Sequence, residues 1–258
     1  MNLIVAAKID VECTEPCPTV AMLRPRSGLA QWVISERYEL NPWVAATEYQ
    51  DSFGNLCQRF TLPQGKTQIR VTSEVRTSPT LDVGPAQRTP VEQLPDDVLQ
   101  YMLQSRYCPS DKMNQHAREV VAGAQQGYDE VERIRRWIHD NHEYRYGVST
   151  ENTDALDTIA AKAGVCRDFA HVGVAMCRSL MIPARVVVGY LHQLDPMDLH
   201  AWFEAFIGGR WYTFDATQEQ PRGGRVVVAY GRDIADVAFL SNYGAMTITS
   251  MDVSVNQA

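Results

Sequence analysis

The chain has 258 residues, of which 45% are hydrophobic and 21% are charged, as in soluble globular proteins that bury a core without metals or disulfides. Its formal net charge is −7 and no run of Lys or Arg interrupts the acidic balance, which argues against a nucleic-acid partner. No apolar run approaches the roughly 20 residues that cross a bilayer, and no basic segment precedes the short apolar start. We therefore expect a soluble, cytoplasmic protein that has no membrane partner.

The cysteine spacing favours reduced thiols. In a chain of this size that we expect to have no leader, an even number of cysteines need not form disulfides. Cys13 and Cys17 could supply two metal ligands, but no second pair with zinc-like spacing follows. We predict no metal and no cofactor. The six cysteines are Cys13, Cys17, Cys57, Cys108, Cys166 and Cys177.

Residues 1–76 predict a small antiparallel β domain. β-branched and aromatic residues alternate between turn signals, and Asp51-Ser52-Phe53-Gly54 forms a good hairpin turn. The candidate strands are 1–11, 31–38, 47–50, 58–62 and 68–75.

The composition changes at residues 77–95, which carry four prolines and are typical of a linker. Helical signals follow it. Pro95 with two acidic residues suits the first turn of a helix that starts near Val98. Further helices are predicted from 115 to 124 and from about 128 to 142, the latter from apolar residues at helical spacing. We assign residues 96–258 to one core domain.

Residues 163–180 predict a buried central helix that begins at Cys166. Gly164 breaks the chain just before it, and apolar residues then occupy almost every side of the helix, as in a buried one. Strands follow in the prediction, at 184–191, 200–207, 210–217, 226–230 and 245–255.

Cys166 is a candidate nucleophile. Cysteine attacks as the thiolate, and a helix N-terminus or a neighbouring histidine commonly lowers the pKa of a thiol. The unpaired amides at the start of a helix favour negative charge and could also stabilise an oxyanion.

The hairpin that follows supplies a histidine and a carboxylate. If Gly208-Gly209 is a two-residue turn, Trp202 faces Asp215 and His200 is the diagonal neighbour of Asp215 on the same sheet face. An aspartate at that place could fix the tautomer of the imidazole, as in a catalytic triad. A one-residue bulge would move Asp215 to the other face.

Simpler structural roles compete with the catalytic ones. Cys177 lies in the apolar helix and is predicted to be a core residue. Asp168 is predicted to interact with the helix dipole, and His171 to be a buried, hydrogen-bonded histidine. Trp202 is a candidate for lining the substrate cleft, although aromatic strand residues more often belong to the core. The Arg232-Asp233 pair could order a loop beside the site or form a solvated turn.

The stretches GVCRDFAHVGVAMCRSLMIPARVVVGYL, HAWFEAF and WYTFDAT resemble the core of bacterial transglutaminase-like proteins, often described as cysteine proteases. The downstream VAYGRDIADVAFL and the upstream YQDSFGNLCQRFTL are similar to segments of the same family. The resemblance implies an α+β, papain-like core preceded by the family's N-terminal β domain. It also implies a triad of Cys166, His200 and Asp215. The family's oxyanion-hole side chain lies upstream of the cysteine, where Tyr144 and Tyr146 are candidates, and Tyr146 is further taken as a substrate-binding candidate.

Two functions of different classes remain open from the sequence. The first is an amide-bond enzyme, a peptidase, amidase or transglutaminase, which takes a peptide, protein or amide substrate through a thioester. The second is a non-catalytic binding or scaffold module that keeps the fold. A metal-dependent hydrolase is a weaker third, since neither HExxH nor paired CxxC spacing is present. Thiol reactivity would separate the first two.

Overall fold

The first third of the chain folds into six strands, as its alternating pattern predicts. The computed structural model describes residues 1–28 and 30–258. Each of the five predicted strands is confirmed within a few residues. The additional strand, β2, was not predicted; it contains Pro18, and proline argues against a strand interior. Strands β1 to β6 are Asn2–Cys13, Cys17–Ala21, Gln31–Asn41, Thr47–Gln50, Leu56–Leu62 and Gly65–Thr77.

The predicted turn between β4 and β5 is confirmed. Asp51 Oδ1 accepts hydrogen bonds from the backbone N–H groups of Phe53 at 2.9 Å and Asn55 at 2.8 Å. The Asn55 side chain also donates to the carbonyl of Tyr230 at 2.8 Å, so the turn is attached to the later part of the chain.

The rest of the chain contains five α-helices and eight strands among the residues described. Single 3-10 turns lie at Val91–Gln93, Gln100–Met102 and Ser110–Lys112. The helices are α1 (Asp96–Leu99), α2 (Asn114–Val120), α3 (Tyr128–Asn141), α4 (Ala155–Ala161) and α5 (Cys166–Ser179). The strands are β7 (Glu143–Tyr144), β8 (Ala163–Gly164), β9 (Ala184–Leu191), β10 (His200–Ile207), β11 (Arg210–Phe214), β12 (Arg225–Gly231), β13 (Leu240–Asn242) and β14 (Met246–Gln257).

One helix, α4, was missed by the sequence analysis. Its N-cap is Asp154, whose carboxylate accepts hydrogen bonds from the amides of Leu156 and Asp157 at 2.8 and 3.0 Å. An acidic residue followed three positions later by another is a capping signal, and it was visible in the sequence.

The predicted domain boundary at the C-terminal end needs correction. β14 pairs with β1 over almost its whole length, in a sheet of order β14-β1-β6-β3. β13 pairs with β2 in a second sheet of order β13-β2-β5-β4. The end of the chain therefore completes the N-terminal β region instead of the core, since β14 covers the edge of β1 that β6 leaves open.

The central helix packs on a four-stranded antiparallel sheet of order β11-β10-β9-β12. Every residue of α5 from Asp168 to Ser179 is buried, as its all-round apolar pattern predicts. Gly173 faces Phe203 on β10, and a Cβ at this glycine would lie 2.5 Å from the phenyl ring. The absent side chain lets helix and sheet approach closely, which confirms the α+β fold with one buried helix on an antiparallel sheet.

The segment predicted as a linker has little regular structure but is attached to the core. The carbonyl of Ala86 accepts a hydrogen bond from Tyr128 N at 2.9 Å. Arg88 forms an ion pair with the buried Glu130 and donates to the carbonyl of Leu180 at 2.8 Å. Among the described residues, no helix combines the length and the apolar character that a membrane span requires.

Candidate active site

Cys166 is the first residue of α5, as predicted. Val165 precedes it in an extended conformation, and the carboxylate of Asp168 accepts the N–H of Val165 at 2.9 Å. Asp168 therefore caps the helix that presents the thiol. A Cβ at Gly164 would lie 2.8 Å from Asp168 Cβ, so this cap needs glycine at that position. The first amides of a helix have no acceptor within it, which places partial positive charge around the Cys166 backbone.

Cys166 differs from the other five cysteines in its exposure. It is partly exposed, whereas the others are buried, and all six are free thiols. Burial raises the pKa of Cys108 to about 12 and also raises the pKa of Cys177. The prediction that Cys177 is a core residue is confirmed by its complete burial. Among the residues that the structure describes, no cluster of three or more His, Cys, Asp or Glu side chains is arranged to hold a metal.

His200 and Asp215 lie next to each other, as the hairpin register requires. Ile207 pairs with Arg210 and Phe203 with Phe214, so the turn at Gly208-Gly209 contains two residues and no bulge. His200 Nε2 lies 2.8 Å from Asp215 Oδ2, and both side chains are buried. With Nε2 held by the carboxylate, Nδ1 is the ring nitrogen that remains for Cys166.

Asp215 has further partners that the sequence analysis did not find. Arg225 Nη2 donates to Asp215 Oδ2 at 2.8 Å. The Thr217 hydroxyl and amide donate to Asp215 Oδ1 at 2.7 and 3.0 Å. Burial by itself would raise the pKa of Asp215, but the positive charges of His200 and Arg225 and these hydrogen bonds hold it well below its usual range. The carboxylate is therefore charged and fixed in place.

The same contacts act on the imidazole. Burial disfavours the charged form of His200, but the Asp215 carboxylate and, to a smaller extent, the Cys166 thiol outweigh it and raise the pKa of His200 to about 9. Cys166 and His200 also line the same cavity, so the thiol and the imidazole face a common space. A histidine of this kind carries its proton at neutral pH and can stabilise a neighbouring thiolate.

The candidate role of Trp202 in lining the cleft does not fit its placement. Its side chain is 1% exposed. Its ring lies 6.0 Å from that of His200, and the Arg225 guanidinium lies 4.9 Å from it on another side. Trp202 therefore packs against His200 inside the protein and stabilises Arg225 by a cation–π contact.

Tyr144 and Tyr146 lie on the segment that runs beside the start of α5. Tyr144 pairs with Gly164 through the short parallel ladder of β7 and β8. Burial, the adjacent Cys166 thiol and Tyr146 raise the pKa of Tyr144, while the Cys166 backbone amide opposes this rise. The two tyrosine rings are 5.6 Å apart, and Tyr146 is 56% exposed. The thiol thus acts on the pKa of Tyr144, and the substrate-binding role of Tyr146 stays a prediction.

The remaining candidates have structural roles. His171 is 1% exposed, stacks on Tyr107 at 5.1 Å, and accepts the Ile234 N–H at 3.2 Å. Burial lowers the pKa of His171 to about 4, so it is a neutral core histidine. Asp233 is buried and accepts the N–H groups of Tyr107 and Ala235, each at 2.9 Å. It therefore orders the loop after β12, the first of the two roles considered for it.

The raised pKa of His200 predicts how stability depends on pH. The folded protein keeps the His200 proton up to a pH of about 9, whereas an unfolded histidine loses it near pH 6.5. Between these two pH values the folded state binds a proton that the unfolded state has lost. The stabilisation that this proton gives is complete below pH 6.5 and is lost as the pH rises toward 9. The expected decrease in the free energy of unfolding is up to about 3 kcal/mol.

This dependence is best measured by urea unfolding of Cys166→Ala. The variant has no thiol beside the imidazole, and it keeps Asp215, which raises the pKa of His200 more than the thiol does. The double variant Cys166→Ala/His200→Gln is the control and should show a flatter curve. Parallel curves for the two proteins between pH 6.5 and 9 would contradict the raised pKa.

Comparison with known proteins identifies the family of this fold. Residues 114–216 match the transglutaminase-like superfamily, and residues 14–77 match the bacterial transglutaminase-like N-terminal region. An uncharacterized protein of Mycobacterium leprae is 30% identical over 253 residues, which cover 91% of this chain and 89% of the relative. The chain belongs to the transglutaminase-like superfamily.

Other relatives of this superfamily member extend the comparison. An uncharacterized protein of Mycobacterium tuberculosis is 27% identical over 265 residues, covering 91% of this chain and 84% of that protein. The crystal structure of "a Putative Cysteine Protease from Cytophaga hutchinsonii" has a TM-score of 0.93 and 34% identity, covering 99% of this chain and 90% of that one. The β region and the core therefore occur together in that protein also.

Proposed function

We propose that this transglutaminase-like protein is a cysteine-dependent amide-bond enzyme that works through a thioester, with Cys166, His200 and Asp215 as its triad. One observation carries the proposal. His200 is held at Nε2 by a buried carboxylate and lines the same cavity as Cys166, a partly exposed cysteine at a helix N-terminus. A core histidine needs no charged partner, and a structural cysteine needs no exposure.

In the proposed reaction, the Cys166 sulfur attacks the carbonyl carbon of the substrate amide. Protonated His200 gives its proton to the leaving nitrogen as the carbon–nitrogen bond breaks, and a thioester remains. Neutral His200 then removes a proton from water or from an amine as that nucleophile attacks the thioester. The carbon–sulfur bond breaks, the acyl group leaves, and the thiolate and protonated histidine are restored. Asp215 orients the imidazole and stabilises its positive charge.

The oxyanion formed in each step needs hydrogen-bond donors. The Cys166 backbone amide at the start of α5 is one candidate. Tyr144 is the second, because it pairs with Gly164, two residues before Cys166, and the thiol is one of the groups that raise the pKa of its phenol. Its raised pKa keeps the phenol protonated, and thus a donor, at neutral pH.

The proposal is tested by a screen with peptide substrates, in which peptide cleavage and the incorporation of a fluorescent alkylamine are measured together. Wild-type protein should cleave or modify a subset of the peptides, and Cys166→Ala should do neither. Cleavage alone identifies a peptidase or amidase, and amine incorporation identifies an acyltransferase. Identical products from wild type and Cys166→Ala would contradict the triad, and no product from either protein would favour the binding-module alternative.

A further inference from the structure

A cavity of about 270 Å³ adjoins the candidate triad. Cys166 and His200 line it, so whatever enters this space lies next to the thiol. Most of the other lining side chains are apolar. Typical ligand sites measure about 300–1,000 Å³, so this cavity fits one or two apolar side chains better than a whole ligand.

The N-terminal β region and the last strand form part of the cavity wall. Met22 and Leu23, which follow β2, line it together with Phe239, Leu240 and Met251. The Met22 N–H donates to the carbonyl of Phe239 at 3.0 Å, and Leu240 pairs with Ala21 across β13 and β2. Backbone hydrogen bonds therefore fix this wall to the β region, and the core by itself would leave the cavity open.

Apart from His200, the charged residues that line the cavity each have a hydrogen-bond partner. Arg167 lies 3.3 Å from the Asp168 carboxylate and donates to the carbonyl of Thr150 at 2.8 Å. Asp198 accepts the Leu199 N–H at 2.7 Å, and burial raises the pKa of its carboxyl group. A charged substrate group would lose its hydration among these mostly apolar side chains, whereas an apolar group would gain from leaving water.

From these contacts we propose that the cavity is the subsite for a large apolar side chain of the substrate, adjacent to the amide that Cys166 attacks. The N-terminal β region and β14 then have a defined role, since they supply the wall that makes the enzyme select apolar substrates. This inference rests on the proposed function.

The subsite is tested with two alkylating reagents, iodoacetamide and N-benzyl iodoacetamide. In each, the Cys166 thiolate attacks the carbon that bears iodine, a carbon–sulfur bond forms and iodide leaves. The benzyl group serves as the apolar probe. The rate constants at Cys166 are measured by peptide mass spectrometry, and their ratio is divided by the ratio for glutathione to remove intrinsic reactivity. We expect wild type to prefer the benzyl reagent at least about 10-fold.

Two methionines of β14 give a matched comparison. Met251 lines the cavity, whereas Met246 does not. Both methionines lie on β14 and both are partly buried. Met251→Asp should bring the corrected ratio close to one. Met22→Asp, which changes another part of the cavity wall, should do the same. Met246→Asp should keep the wild-type ratio. Thermal unfolding of each variant shows that it is folded.

The outcomes separate the subsite from the proposed function. A corrected ratio near one in wild type, or an unchanged ratio in folded Met251→Asp and Met22→Asp, overturns the subsite. If Cys166 then still reacts much faster than glutathione with both reagents, the reactive cysteine stands without the subsite. A benzyl preference that is lost only in the cavity variants supports the subsite, whatever the absolute rate.

Discussion

Replacing Asp215 with alanine is expected to lower the free energy of unfolding by about 3–5 kcal/mol, because it leaves buried charge without a partner. Arg225 Nη2 and His200 Nε2 both lie 2.8 Å from Asp215 Oδ2, and the side chains of the three residues are at most 5% exposed. Without the carboxylate, Arg225 remains charged in a dry interior. The imidazole also loses the group that orients it, so Cys166-dependent turnover should fall as well.

Asp82 provides a matched control for this prediction. Its carboxylate lies 2.8 Å from Arg210 Nη1, but the two side chains are 75% and 55% exposed. Asp82→Ala should change the free energy of unfolding by less than about 1 kcal/mol, since exposed ion pairs contribute little. Asp215→Asn, which keeps an acceptor but no charge, should lie between the two. Urea unfolding followed by fluorescence measures all three, and equal losses for Asp82→Ala and Asp215→Ala would contradict the buried network.

Replacing His200 with alanine is expected to slow the alkylation of Cys166 at pH 6 by about 100-fold. An ordinary cysteine, with a pKa of about 8.5, is less than about 1% thiolate at that pH. Protonated His200, whose pKa is raised to about 9, is the positive charge that the proposed triad sets beside Cys166 at this pH. The rate is read by peptide mass spectrometry after a short exposure to iodoacetamide.

Two controls accompany this substitution. His192→Ala removes a histidine that does not line the cavity of Cys166, and it should leave the rate within about two-fold of wild type. Cys177, fully buried in the same helix, reports unfolding, because it reacts only when the core opens. A His200→Ala protein that keeps the wild-type rate at pH 6 would show that the histidine does not act on the thiol.

The parts of the site that the sequence predicted are those with local determinants. The period of α5 and the break at Gly164 place Cys166 at a helix start. The Gly208-Gly209 turn fixes the hairpin register, and that register alone brings His200 to Asp215. Both inferences need only a short stretch of chain and one rule of geometry.

The parts that were missed depend on contacts between distant segments. Arg225 reaches Asp215 because β12 pairs with β9 and not with the hairpin strand β11, an order that the sequence does not specify. Met251 reaches the cavity only because β14 pairs with β1. Thr217 is an exception, since a threonine two residues after an aspartate is a local signal for the hydrogen bond that it donates.

The most direct test of a working Cys166–His200 pair is the pH dependence of Cys166 alkylation in the wild-type protein between pH 5 and 10. If the pair exists, the rate rises at low pH and is already within a few-fold of its maximum at pH 6, then stays nearly level through neutral pH. A rate that climbs about tenfold per pH unit from pH 6 and levels only above about 8.5, as for a free thiol, would contradict the pair and the amide-bond chemistry proposed for it.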